Sequence, residues 1–263
     1  LSPHTDIKFG FYTILLSECK CEAYAYGHQC CDFSDGTLVC LTPGESISMK
    51  GNNKEFPSKG WILAFHPDLI CGTPLGLNIH NYTFFSYCPE EALHLSLREK
   101  QIILEFLERI RQELERCIDR HSKKIISKYI ELLLDYCTRF YERQFITRSE
   151  VNKKVFREFN YLLDNHFNVK VSLSTGVLSD EYCANLLHLS PAYFNDLLKY
   201  EIGKEFKEYI QFKRFEIAKG WLVNTDKTIG QIAQELGFSN SQYFSRLFKK
   251  ITGCSPNEFR MPN

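Results

Sequence analysis

The chain has 263 residues, enough for two domains by the usual length prior. Its 32 Lys and Arg balance 32 Asp and Glu, so charge gives no pointer to a nucleic-acid or strongly acidic partner. No apolar run is long enough to cross a bilayer and no signal-peptide pattern is present, so a soluble cytoplasmic protein is expected. The first residue is leucine, as expected of a trimmed or processed chain.

Residues up to about Cys88 read as β-rich. Strand candidates are Phe9 to Leu16, Cys21 to Tyr26, Thr37 to Leu41, Ser46 to Met49 and Trp61 to Phe65. Turn signals separate them at Gly27, Ser34-Asp35-Gly36, Pro43-Gly44 and Gly51-Asn52-Asn53. Short strands between such turns predict a small barrel or sandwich. The eleven cysteines are an odd number at irregular spacing. Neither Cys19-Lys-Cys21 nor Cys30-Cys31 matches paired C-x2-C zinc spacing, and reduced, mostly buried thiols are expected.

Two long helices follow. Ser96-Leu-Arg-Glu99 is a capping box, and the helix beyond it carries Ile103, Phe106, Leu107, Ile110, Leu114 and Cys117 on one face. After a polar break near Asp119 to Lys123, a second helix carries Ile126, Tyr129, Ile130, Leu133, Tyr136, Cys137 and Phe140. The short connection predicts an antiparallel pair. A joint is expected at Arg143 to Thr147. There Thr147-Arg-Ser-Glu150 forms a further capping box, opening a helix to about Asn165 with Val151, Val155, Phe159, Leu162 and Leu163. Val171 to Gly176 is the next expected boundary.

The last third contains two helix-turn-helix patterns. In the second, Ile229, Ile232, Ala233 and Leu236 form one apolar face, Gly237 supplies a tight turn, and Ser239 or Asn240 can cap the next helix. That helix has its own stripe of Phe244, Leu247, Phe248 and Ile251. The first pattern runs from Ser179 to Gly203. Ala184 and Leu187 lie 49 residues before Ala233 and Leu236, and the offset becomes 50 for Tyr193, Phe194, Lys199 and Gly203. One extra turn residue in the second copy accounts for the slip.

From Leu178 to Arg260 the chain resembles the AraC/XylS family of bacterial transcription regulators. The resemblance rests on Gly203-Lys204, Tyr209, Arg214, Ala218, Leu222, Ile232-Ala233, Gly237-Phe238, Tyr243-Phe244, Phe248-Lys249, Gly253, Ser255-Pro256 and Phe259-Arg260. It implies an all-α domain with two helix-turn-helix motifs joined by a long helix. That helix would run from Phe206 to Leu222, with Tyr209, Phe212, Phe215, Ile217 and Leu222 covering both motifs. It also implies sequence-specific binding of double-stranded DNA, a cupin-like barrel as effector domain, and dimerisation through the helical pair. Gly60 to Ile70 and Tyr82 to Tyr87 look like the sensor halves of such regulators. The fold expected is therefore α+β and multidomain. A cupin-like sensor occupies residues 1–95, a helical pair 96–146, a connecting helix 147–170, and a DNA-binding domain 171–263.

A recognition helix in the major groove reads bases with its outward side chains. In the first copy these are Ala192, Asn195, Asp196 and Lys199; in the second, Asn240, Ser241, Gln242, Ser245, Arg246, Lys249 and Lys250. Arg246 suits guanine, Gln242 and Asn195 suit adenine, and Asp196 accepts from cytosine or excludes wrong bases. Ala192 reaches at most a thymine methyl, while Lys199, Lys249 and Lys250 suit phosphate. The first copy is expected to be the less discriminating reader. From Val169 onward there are only 12 basic against 10 acidic residues, which predicts few phosphate contacts and a need for a second subunit.

His28, His66, His80 and His94 are isolated, without the His-x-His of cupin metal sites, so no metal, cofactor or enzymatic role is expected. A partly apolar pocket for a small-molecule effector is favoured over a metal site. Tyr12, Tyr24, Trp61 and Phe65 are candidate lining residues, with core packing the favoured role of each. A cupin-type metalloenzyme fused to a DNA-binding module, or a regulator sensing a partner protein, are the alternatives.

Overall fold

The computed structural model describes residues 7–8, 10–17, 36–47, 59–168 and 178–261. The chain divides into two compact units. One comprises Leu1–Ser149 with Leu189–Tyr193, the other Glu150–His188 with Phe194–Asn263.

In the first unit, short β1 (Ile7–Lys8) pairs with β4 (Ser46–Ile47). The principal sheet contains β2 (Tyr12–Ser17), β3 (Gly36–Leu41), β5 (Gly60–Phe65) and β6 (Leu93–Leu95), in the antiparallel order β5-β2-β3-β6. Ile14 lies opposite both Cys40 and Leu63, and Leu16 opposite Leu38 and Trp61. The period of two places Ile14, Leu16, Leu38 and Cys40 on one buried face. On the other face Leu15 and Val39 are half-buried and Ile62 is exposed. Among the described residues the sheet is open, with β5 and β6 as its edges, so the expected closed barrel is not what they form. Closure needs each edge strand to find another strand, and β6 meets a helix instead. Cys21 to Tyr26, expected as a strand, lies outside the described residues, as do His28, Tyr24 and the Cys19, Cys21, Cys30 and Cys31 group.

The edge of β6 is completed by a side chain. Gln144 accepts a hydrogen bond from His94 N–H at 2.8 Å and donates to the Ala92 carbonyl at 3.1 Å. A single buried amide thus supplies the donor and the acceptor that a neighbouring strand would offer. Gln144 belongs to α4 (Ser122–Thr147), which packs against α3 (Leu97–Leu114) as the expected helical pair. The capping box of α3 forms as expected: Ser96 Oγ accepts from Glu99 N–H, and the Glu99 carboxylate accepts from Ser96 N–H. Arg143 grips the same corner, donating to both Glu99 oxygens and to the His94 carbonyl. Ile103, Leu107 and Ile110 of α3 are buried, as are Ile126, Ile130, Leu133, Leu134 and Cys137 of α4. Arg143 to Thr147, where a joint is expected, are instead the last residues of α4. Thr147 donates back to the Gln144 carbonyl.

Between β5 and β6 the chain makes α1 (Pro67–Ile70), α2 (Pro74–Asn78) and short 3-10 turns. His66 caps α1, its Nδ1 accepting from Asp68 N–H, and His94 is buried in β6, while His80 is exposed. Phe65 is buried beneath Tyr12, whose ring stacks on it at 5.3 Å, so core packing is the role of Phe65. Cys40, Cys137 and Cys183 are buried, and burial pushes their thiols upward. Cys71, Cys88 and Cys117 are exposed and Cys254 is half-buried, so the described thiols divide between interior and surface. No helix among the described residues is long and apolar enough to cross a membrane.

The second unit is helical: α5 (Ser149–Asn168), α6 (Asp180–Leu186), α7 (Pro191–Ile202), α8 (Phe206–Asn224), α9 (Ile229–Glu235), α10 (Ser241–Thr252) and α11 (Pro256–Arg260). The first turn of α7 belongs to the first unit, and α5 begins at the division between the two.

Candidate nucleic-acid interface

Helix α8 holds the two helix-turn-helix copies on opposite stretches of its length. Phe206 and Tyr209 near its start join Phe159 and Phe194, with Phe159 meeting the Phe194 ring edge-on at 5.0 Å. Phe215 further along gathers Phe238, Phe244 and Phe248. Tyr209, Phe215 and Leu222 are buried as expected of the linking helix, but Phe212 is 45% exposed and belongs to neither core. At the far end Arg260 of α11 donates to the carbonyls of Leu222 and Lys227, fastening the terminus to α8. Arg214 lies over the Phe238 ring at 5.7 Å, where desolvation holds its pKa below the ordinary arginine value.

The duplication is visible in the backbone. Gly237 turns from α9 toward α10 at φ +74°, and His188, 49 residues earlier, makes the corresponding turn at φ +56°. Gly203 and Gly253 follow α7 and α10 at φ +65° and +86°. Asn240 caps α10 by accepting from Tyr243 N–H at 2.6 Å, which selects it over Ser239. Ser190, 50 residues earlier, caps α7 by accepting from Tyr193 N–H at 3.1 Å. The apolar face of α10 is Phe244 and Phe248, both fully buried; Leu247 is half-buried and Ile251 exposed, narrower than the expected stripe.

The outward residues of the copies differ in what they already touch. On α10, Ser241, Gln242, Arg246, Lys249 and Lys250 are exposed, as is Asn240 ahead of it. Ser245 is half-buried and spends its hydroxyl on the Ser241 carbonyl at 2.8 Å. Arg246 lies over the Tyr243 ring at 5.6 Å, and no carboxylate among the described residues pairs with it. Stacking of this kind holds a guanidinium fork in place while leaving its edge donors open. On α7, Ala192, Asn195 and Asp196 are half-buried and Lys199 is exposed. Asn195 donates to Asp180 at 3.1 Å, Lys199 pairs with Glu205 at 3.2 Å, and Asp196 also has an interaction partner. Ser190 and the carboxylate of Glu91 that holds it, separated by 99 residues, were beyond any sequence pattern.

The fold and these faces define a double helix-turn-helix module. Residues 183–261 match the family model described as a helix-turn-helix domain. The helix-turn-helix-type transcriptional regulator YtdP of Bacillus subtilis (strain 168) is 33% identical over 43% of this chain and 14% of its own length. The regulator YijO of Escherichia coli (strain K12) is 24% identical over 86% of this chain and 76% of its own. The C-terminal domain of AraT, a response regulator from Geobacillus stearothermophilus, is 32% identical, covering 40% of this chain and 83% of that one at a TM-score of 0.35. The chain thus spans only a small part of some curated relatives. Its C-terminal segment is an AraC/XylS-type helix-turn-helix domain, and the relatives it matches are transcriptional regulators.

Proposed function

We propose that the protein is a sequence-specific, duplex-binding transcriptional regulator acting in the cytoplasm, with a small-molecule sensor and dimerisation helices in its first unit. The open face of α10 carries this reading. Gln242 and Arg246 stand one turn apart beside Lys249, with no competing carboxylate on Arg246 among the described residues. Such a set reads adenine and guanine edges and grips phosphate. The half-engaged face of α7 supports the expectation that the first copy discriminates less.

Two features support the other parts of the proposal. The face of the sheet bearing Leu15, Val39 and Ile62 is an apolar row suited to a small molecule. On α4, Ile125 and Leu132 are exposed one heptad apart, with Tyr129 half-buried between them, a stripe suited to a second copy. The domain limits expected from sequence are retained as part of this proposal.

Selection of bound duplexes from a random pool by the full chain tests the function. Enrichment of a site with two half-sites, each covering successive major grooves, is the expected result. If no sequence is enriched by the full chain or by residues 150–263, which keep Phe159 in the core of the first copy, the reading is wrong.

A further inference from the structure

Glu91 is 5% exposed, and no cation pairs with it among the described residues. Its Oε2 accepts from Cys88 N–H at 2.8 Å, closing its own short turn. Both carboxylate oxygens also reach Ser190, which is 4% exposed. Ser190 N–H donates to Oε1 at 2.7 Å and Ser190 Oγ–H donates to Oε2 at 2.5 Å. Burial pushes the carboxyl pKa up, exposed Glu90 adds repulsion, and the hydrogen bonds from Ser190 and Cys88 act the other way. Capping a turn at Cys88 would need only one oxygen. It does not account for the two bonds to Ser190.

Ser190 is the cap of α7, the first reader helix. A helix start is where backbone N–H groups and a partial positive charge welcome an anion, and in a duplex complex a backbone phosphate commonly takes that place. Pro191 at the first helical position offers no N–H, so the Ser190 amide and hydroxyl are prominent donors there. Both are already given to Glu91. Tyr193, one turn into α7, is also held, with its ring edge-on to Tyr87 at 5.2 Å and beside Phe145 at 5.2 Å. The second copy provides the comparison within the same chain. Asn240, the counterpart of Ser190, is exposed, and no carboxylate among the described residues bonds to it.

We infer that Glu91 is a built-in substitute for a DNA phosphate at the start of α7, so that the first reader engages duplex only when this carboxylate lets go. The inference rests on α7 being a DNA reader. An ionised carboxylate buried without a cation is poorly compensated, and an incoming phosphate can replace it at Ser190 while Glu91 returns to water.

The test uses the full chain, Glu91→Gln, and Glu90→Gln as a control that removes the same charge from the exposed neighbouring position. Each is titrated with the duplex selected for the unmodified protein over a range of salt. Glu91→Gln should bind several-fold more tightly, with the slope of log K against log salt unchanged, because Ser190 is a neutral donor and phosphate occupies it in both complexes. Glu90→Gln should change neither. Equal or weaker binding by Glu91→Gln, a changed slope, or the same effect from Glu90→Gln overturns the role of Glu91. Absence of duplex binding by all three proteins overturns the DNA-reading function itself. Hydrogen exchange on the unmodified chain decides the matter if Glu91→Gln does not fold. Duplex should speed exchange across Cys88–Ala92, and unchanged exchange there in a bound complex overturns the inference.

Discussion

Arg246 and Gln242 carry the most specific chemistry in the proposed interface. A guanidinium parked on Tyr243 at 5.6 Å has its charge held but its fork unspent. Truncation to alanine removes base contacts while leaving Phe244 and Phe248, which hold the helix, in place. Arg246→Ala and Gln242→Ala should each weaken binding to the selected duplex by about 1–3 kcal/mol, roughly five- to 150-fold, and relax selectivity at one base pair. Unchanged affinity and selectivity in both variants would remove these contacts from the interface. His188 poses a different question at the same scale. It holds the left-handed turn that Gly237 holds in the second copy, yet it carries a Cβ and its side chain is exposed. His188→Gly relieves that strain and loses no buried contact, against a modest gain in unfolded-chain entropy. A net stabilisation of about 0.5–1 kcal/mol is expected by urea titration; destabilisation would show that the imidazole has a role of its own.

At the scale of elements, the helices that form the readers were legible because their signals are local. Caps, turns and apolar spacing all fall within a dozen residues, and the 49- and 50-residue offsets appear again as paired left-handed turns. What sequence missed depends on distant partners. Phe212 and Ile251 fit apolar stripes by spacing, yet they are 45% and 50% exposed. Thr147 and Glu150 have the spacing of a capping box, although α4 runs through Thr147. Gln144 is the clearest case. An amide beside Phe145 reads as a solvent-facing position, whereas its side chain is sealed against β6 and completes the edge of the sheet. Strand-like runs and family resemblance point to a closed barrel, but neither specifies how an edge is satisfied. Gln144→Leu tests this account. It keeps the volume but strands a buried N–H and a buried carbonyl, so a loss of about 2–5 kcal/mol is expected from two such groups. A loss below about 1 kcal/mol would mean that water or backbone movement serves the edge as well.

The whole molecule is electrically neutral, and its reader half has only two more basic than acidic residues from Val169 onward. Long-range attraction to DNA is therefore weak, and affinity has to come from a few placed contacts and from multiplicity. Lys199, Lys249 and Lys250 are the outward lysines assigned to phosphate, and Lys199 is already paired with Glu205. Three neutralised phosphates per chain correspond to a salt slope of about −3, and a dimer on two half-sites to about −6. The stripe on α4 connects this electrostatic limit to assembly. Leu132 is 45% exposed there, and Leu132→Glu introduces a charge that a paired apolar seam would not tolerate. Sedimentation should show the unmodified chain as a dimer and Leu132→Glu as a monomer, and the slope on the full site should fall from about −6 to about −3. A dimer that survives the substitution would move the seam elsewhere. A slope near −6 from a proven monomer would instead mean that the neutral surface conceals more phosphate contacts than the two reader faces present. Low net charge would then be a property of the first unit and of the solvent-facing helices, and the proposed DNA-facing side would be far more basic than the balance of the sequence implies.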